Sequence, residues 1–288
     1  MNITNQTKLG LLGKELTHSL SPEIHQYILK AENILGIYEK YEIPEEELSQ
    51  VIPMMKRNNI LGLNVTLPYK EILFHLVDKV DHHSKAIGAI NTVKIKNGIS
   101  HGYNTDYLGA IHMFRNAKVS LKDKSIFILG SGGSAKALIY AFHIEGANKI
   151  TVVSRNQIAC KALKEQFPFI EKYGLKHFIA EAPTGDLIVN TTPVGQFPEI
   201  DHSPIPESVL TNFKTACDIV YNPLMTKFLT LAEKKSLEIV TGLSMLINQA
   251  IAAQELWFER KIDDRRSEEI EDFLICKDYD NLVNGSIV

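Results

Sequence analysis

The sequence predicts an α/β protein of two domains, each organised around a mainly parallel sheet, and three observations carry that expectation. β-Branched apolar runs alternate with stretches of helical period from the start of the chain. The alternation is interrupted once, by a stretch of alternating polarity that turns at Asn97-Gly98 and reads as an antiparallel hairpin. It then restarts around a glycine-rich turn, Gly130 to Ser134, set between an apolar run and a helix-forming one.

Taken in order, "KLGLLG" reads as the first strand. "SPEIHQYILKAEN" follows as a helix with Ser21 as its cap, Pro22 at its first position and Ile24, Tyr27, Ile28 and Ala31 on one face. "GIYEKYEI" is a strand, and "PEEELSQVIPMMKRN" a helix opening on Pro44 and three acids. "LGLNVTL" is a buried strand stopped by Pro68, after which a helix follows. The hairpin "AINTVKIKNGISHGYNTD" comes next, then a bridging helix, "DYLGAIHMFRNAKV". The second half runs strand, glycine turn, helix, strand over "KSIFILGSGGSAKALIYAFHIEGANKITVVSRN". Three further strands begin "DLIVN", "TACDI" and "LEIVT", the last two leading into helices. The expected domains are residues 1–107 and 108–243, with the helices of 244–288 folding back on the first. The charged tail after Trp257 is expected to be helical in part.

Composition narrows the function. The chain has 288 residues, 44% of them hydrophobic and 23% charged, an ordinary balance for a protein with a core. A formal net charge of -3 without a basic run excludes a nucleic-acid-binding face. No segment is long and apolar enough to span a membrane, and the amino terminus has no secretory pattern, so the expected location is the cytoplasm. Cys160, Cys217 and Cys276 lie far apart with no C-x-x-C spacing, which fits a reducing compartment. His82 and His83 lack helical ligand spacing and read as surface residues, so no metal site is expected.

The glycine turn carries the first chemical signal. Gly130, Gly132 and Ala135 have the G-x-G-x-x-A spacing directly after "SIFIL". The first glycine permits the turn, the second lets backbone amides approach a pyrophosphate, and the small third residue packs helix against strand. The helix amino terminus then faces the phosphates. The next strand ends in Ser154-Arg155-Asn156, with no acid to bind a ribose 2′-hydroxyl. An arginine there suits a 2′-phosphate, so NADP is favoured and NAD is the alternative.

The second signal is a set of polar clusters at strand ends in the first half: "THSLSP", "NVTLPYK", "AINTV" and "GYNTD". Each has a structural reading, Ser21 and Asp106 as helix caps and Asn91 as a turn amide. Together they supply hydroxyls, an amide, an ammonium and a carboxylate, a set suited to a small polyhydroxylated molecule.

In order and over nearly the whole chain, "HSLSPEIHQ", "NVTLPYK", "GAINTV", "GYNTD", "GSGGSAKA", "NTTPVG", "DIVYNPLMT" and "GLSMLINQA" resemble the motifs of shikimate dehydrogenases. The resemblance implies a substrate domain and a Rossmann-type NADP-binding domain flanking a cleft. It implies reduction of 3-dehydroshikimate to shikimate with NADPH, in aromatic amino-acid (chorismate) biosynthesis. Position by position, Ser19 and Ser21 would hold the substrate carboxylate near Tyr221, and Thr66, Lys70, Asn91, Asp106 and Gln249 would contact the ring hydroxyls. Lys70 would be the general acid/base, held by Asp106. Gly130, Ser131, Gly132, Gly133, Ser134, Ser154, Arg155, Thr192, Ile219, Gly242 and Met245 would line the cofactor site. The family has both monomers and homodimers. Two positions depart from its pattern: His82 stands where many members have an acid, and Ala159 where NADP-binding relatives usually carry an arginine.

Two rival readings follow from the same residues. One is a dual quinate/shikimate dehydrogenase using NAD, kept open by the solitary Arg155. The other is a non-catalytic sensor of the same ligands. Retention of both Lys70 and Asp106 argues against the sensor, which needs binding groups but no acid/base.

Overall fold

The computed structural model describes residues 6–17 and 19–284; residues 1–5, 18 and 285–288 of the expected domains and charged tail lie outside the described residues. Contacts divide the chain into two compact units. One comprises the chain up to Leu108 together with Ile247–Ile270, the other Gly109–Leu246 together with the chain from Glu271. The expectation returned all of 244–288 to the first domain, whereas here the return runs from Ile247 to Ile270.

The first unit starts with β1 (Thr7–Gly13), α1 (Ser21–Ala31) and β2 (Gly36–Glu42). A 3-10 turn (Glu45–Gln50) leads into α2 (Val51–Arg57), followed by β3 (Ile60–Val65) and α3 (Lys70–Phe74). β4 (Lys79–Val80), α4 (His82–Ile87), β5 (Thr92–Lys96) and β6 (Ile99–Tyr103) come next, and α5 (Asp106–Asn116) starts in this unit and belongs to the second from Gly109. The sheet order is β2-β1-β3-β5-β6-β4. β1 runs parallel to both β2 and β3, β5 runs antiparallel to β3 and to its hairpin partner β6, and β6 pairs in parallel with the edge strand β4. Asn97 and Gly98 both take positive φ (52° and 74°), the conformation a two-residue turn needs to match strand twist.

Two local expectations are corrected. The helix expected over 44–58 is a 3-10 turn followed by a short α-helix. Pro53 has no N–H to give the carbonyl of residue 49, and its ring crowds that carbonyl, so an α-helix can include Pro53 only in its first turn. Ser21 is not the cap of α1: the cap position is Leu20, which makes no side-chain cap bond, and the Ser21 N–H instead bonds Ser19 Oγ at 3.3 Å.

The second unit contains β7 (Ser125–Leu129), α6 (Gly133–Ile144), β8 (Lys149–Ser154), α7 (Gln157–Gln166), β9 (Glu171–Gly174) and α8 (Leu175–Glu181). It continues with β10 (Leu187–Asn190), α9 (Glu207–Leu210), β11 (Thr215–Asp218), α10 (Lys227–Lys234) and β12 (Glu238–Thr241); α11 (Leu243–Phe258) starts here and belongs to the first unit from Ile247, and α12 (Arg266–Asn284) starts in the first unit and belongs to the second from Glu271. Its sheet order is β12-β11-β10-β7-β8-β9 with every described pairing parallel, a Rossmann-type arrangement. The edge strand β9 went unrecognised in the sequence because "EKYG" is short and mostly polar.

Phe127, Ile188, Phe213 and Phe228 centre the second unit's core. In the first unit, Leu9, Leu11, Leu29 and Tyr38 pack with Ala253 and Trp257 of α11. That contact ties Ile247–Ile270 to the first sheet. Trp257 Nε1 donates to the Val93 carbonyl at 3.0 Å, and the indole lies so close to Gly62 that a Cβ there would come within 2.1 Å of it. Arg260 and Arg266 hold Glu32 beyond the end of α1.

Candidate active site

β3 ends at Val65, and the next residues are fixed by backbone bonds: Thr66 N–H to the Leu12 carbonyl and Tyr69 N–H to the Thr66 carbonyl. Tyr69 is fully buried, its hydroxyl donating to the Ile43 carbonyl at 2.7 Å, so Lys70 begins α3 from an anchored point. Asp106 begins α5. The cap there is Asn104, whose Oδ1 accepts from the Asp106 and Tyr107 amides at 3.0 and 3.4 Å.

These two helix starts bring Lys70 Nζ to 2.6 Å from Asp106 Oδ2, with side chains 13% and 8% exposed. Among the described residues Asp106 is the partner of that ammonium, which leaves two of its N–H bonds for a bound molecule. Asn91 fastens the other carboxylate oxygen: its Nδ2 donates to Asp106 Oδ1 at 2.7 Å, and lies 3.3 Å from Gln249 Oε1. Asn91 Oδ1 accepts from the Thr105 amide at 2.6 Å and from Thr92 Oγ1 at 3.1 Å. A buried chain continues inward, with Asn64 Nδ2 donating to Thr92 Oγ1 (3.1 Å) and Tyr38 Oη to Asn64 Oδ1 (2.8 Å). His25 stacks on Tyr38 at 4.2 Å; burial drives its pKa down to about 3 against the opposing pull of the Asn64 side chain, so the ring is neutral and structural.

In the second unit Gly130 has φ of 120° and its Cα faces Thr191, where a Cβ would meet Oγ1 at 2.4 Å. Gly132 is the cap of the twelve-residue α6 and Gly133 its first residue; a Cβ on either would meet open space. Ser131 and Ser154 hydroxyls lie 3.0 Å apart. Arg155 is exposed, and Asn156 caps α7 by accepting from the Ala159 amide at 3.0 Å. Thr192 gives both its N–H and its hydroxyl to Asn190 Oδ1, at 3.0 and 2.6 Å. Gly242 lies against the backbone of Ile219, where a Cβ would come within 2.4 Å of the carbonyl oxygen. The neighbouring Asp218 is fully buried, and burial pushes its carboxyl up to about 7 against bonds from Thr226, the Val220 amide and Asn190.

Residues 11–93 match the family model described as the shikimate dehydrogenase substrate binding domain. A shikimate dehydrogenase (NADP(+)) of Clostridium perfringens is 40% identical over 268 residues, covering 93% of this chain and 98% of the relative. The chain belongs to the shikimate dehydrogenase family. A chorismate mutase/shikimate 5-dehydrogenase fusion protein from Clostridium acetobutylicum superposes with a TM-score of 0.88 at 34% identity, covering 95% of this chain and 98% of that one. Shikimate 5-dehydrogenase from Thermus thermophilus, solved with NADP(H) and shikimate, gives a TM-score of 0.83 at 33% identity, over 92% of this chain and 98% of that one.

Against that family pattern, Lys70, Asn91, Asp106 and Gln249 form one hydrogen-bonded group in the first unit. Thr66 sits at the end of β3, half-buried, and Ser19 and Ser21 at the start of α1. Tyr221, Gly242 and Met245 belong to the second unit, with the glycine turn, Ser154, Arg155, Thr192 and Ile219. Sequence reasoning missed Asn104, Thr105, Thr92 and Asn64 as supports, although all four lie within the quoted motifs. The available signal was residue type: buried amides and hydroxyls in a strand must find partners, and their nearest candidates are one another. The His82 and His83 rings lie 3.7 Å apart, tilted by 39°, close to Asp81, but both Asp81 oxygens accept amides of α4.

Proposed function

We propose that this chain catalyses the reversible, NADPH-dependent reduction of 3-dehydroshikimate to shikimate, a step toward chorismate and the aromatic amino acids, with Lys70 as the acid/base group. The observation that carries the assignment is the Lys70–Asp106 pair, short, almost buried and fixed from behind by Asn91. Family membership supplies the reaction class.

Open space at Gly132 and Gly133, ahead of the α6 amino terminus, fits the phosphates of a dinucleotide. Gly130 to Ser134, with Ser154 and Arg155, would hold NADP there, lined further by Thr192, Ile219, Gly242 and Met245. When bound, the reduced cofactor supplies the hydride. In the reduction, negative charge grows on the substrate carbonyl oxygen; the Lys70 ammonium stabilises it and delivers a proton to it. In the reverse direction the neutral amine accepts that proton. Asp106 orients the ammonium and accepts a ring hydroxyl, while Asn91 prevents the carboxylate from rotating away. Ser19, Ser21 and Tyr221 would bind the substrate carboxylate, and Thr66 and Gln249 its hydroxyls. Exposed Arg155 would meet the 2′-phosphate through two N–H groups.

This reading takes the chain as a cytoplasmic enzyme for a small-molecule substrate, acting as a monomer or homodimer. Among the described residues no helix is long and apolar enough to cross a membrane. The test is a four-way steady-state assay, shikimate or quinate with NADP or NAD. Dominant turnover of shikimate with NADP is expected. Comparable rates with quinate or NAD would mark the dual-specificity alternative, and ligand binding without turnover would mark a sensor.

A further inference from the structure

The second unit holds a buried carboxylate that no step of the chemistry uses. Asp218 Oδ1 accepts from Asn190 Nδ2 at 3.0 Å and from the Val220 amide at 3.0 Å, and Oδ2 accepts from Thr226 Oγ1 at 2.7 Å. These partners are all neutral, and each comes from a different segment. Asn190 ends β10, Val220 lies in the turn after β11, and Thr226 caps α10 by accepting the Leu229 amide at 3.3 Å. A fully buried carboxylate without a cation is a costly residue to keep. What it secures here is the convergence of those three segments.

Two of them lead to the cofactor-lining residues. Asn190 turns its amide oxygen on Thr192, accepting both the backbone N–H and the hydroxyl, and its Nδ2 also donates to the Val194 carbonyl at 3.2 Å. The Ile219 amide donates to the Asn190 carbonyl at 3.1 Å, and Gly242 closes the Ile219 carbonyl from the other side. Thr192 and Ile219 are therefore held from within the unit. We propose that Asp218 is a positioning residue for the dinucleotide, setting Thr192 through Asn190 and the Ile219 backbone through the Val220 amide. The assignment rests on the reading of Thr192 and Ile219 as cofactor-lining.

The bland competitor is that Asp218 only caps α10 through Thr226, and the two roles separate by variant. NADPH affinity, followed by the cofactor's own fluorescence, should weaken at least about tenfold in Asp218→Ala, because three donors, those of Asn190 and Val220 among them, lose their acceptor. Asp218→Asn should restore affinity to within about threefold, since an amide oxygen still accepts from Asn190 and Val220. Thr226→Val should lower the melting temperature while leaving NADPH affinity within about twofold. If Asp218→Ala does not fold, Asn190→Ala serves in its place with the same expected loss. The assignment is overturned if the Ala variants bind NADPH like the parent, if Asp218→Asn is as weak as Asp218→Ala, or if Thr226→Val loses affinity equally. A parent chain that binds no NADPH would remove the cofactor reading and this assignment with it. A parent that binds NADPH without turning over shikimate would sink only the reaction.

Discussion

Two buried carboxylates, one in each unit, solve the problem of a hidden charge in opposite ways. Asp106 lies at a helix start opposite an ammonium and keeps 8% of its side chain open. Asp218 is sealed and meets only neutral donors. The first arrangement keeps a proton donor facing outward with unused hydrogen-bonding capacity, as chemistry on a bound molecule requires. The second meets donors from three separate segments, which suits holding loops in register. A buried acid is thus informative about function through its partners and remaining exposure, more than through burial itself.

The hardest blow to this contrast would come from Lys70→Ala. Turnover should fall on the order of 10² to 10⁴ with a smaller change in substrate KM, and near-normal turnover in steady-state assays would remove Lys70 from the chemistry. Asp106→Asn keeps the shape but removes the charge facing Lys70. Turnover should drop by about 10 to 10², and a change confined to thermal stability would make the pair structural.

The contrast sharpens in pH dependence. An Asp218 carboxyl raised to about 7 from 3.8 binds its proton more tightly in the folded than in the unfolded chain. Its contribution to stability is then fully present below the unfolded value and is lost as pH rises through the folded one. That loss is on the order of 4 kcal/mol at most. Urea unfolding at intervals from pH 5 to 8 should show the parent losing stability relative to Asp218→Asn; parallel curves would mean the acid titrates normally.

The smallest effect is expected at the surface. Arg155→Ala should raise KM for NADPH by about three- to tenfold and leave that for NADH nearly unchanged. Equal effects on both cofactors would make Arg155 a structural residue.

The placement of the proposed acid/base pair was legible in the sequence because the local signals around it are strong. Lys70 follows a proline-stopped strand and Asp106 opens a helix, so each position followed from its own neighbourhood. The glycine turn was equally local. Pairing across the sheet was not: Asn64 meets Thr92 because β3 and β5 run antiparallel in one particular register, which no short motif encodes. Caps misled for a related reason. Ser21 and Asp106 have cap chemistry, but the structure starts α1 from Leu20 and lets Asn104 cap α5, since buried packing and a two-residue reach decide which candidate serves. The Asp218 hub was invisible because its partners are 8 and 28 residues away along the chain.

The seat of Trp257 has a practical consequence. It is the chain's single tryptophan, and its indole is pressed between α11 and the strand pair carrying Gly62 and Val93. Intrinsic emission from this protein is therefore an optical gauge of one contact, joining segments more than 160 residues apart in sequence. A red shift on dilute denaturant, ahead of the loss of helical circular dichroism, would time the lifting of α11 from the sheet without any label having been attached.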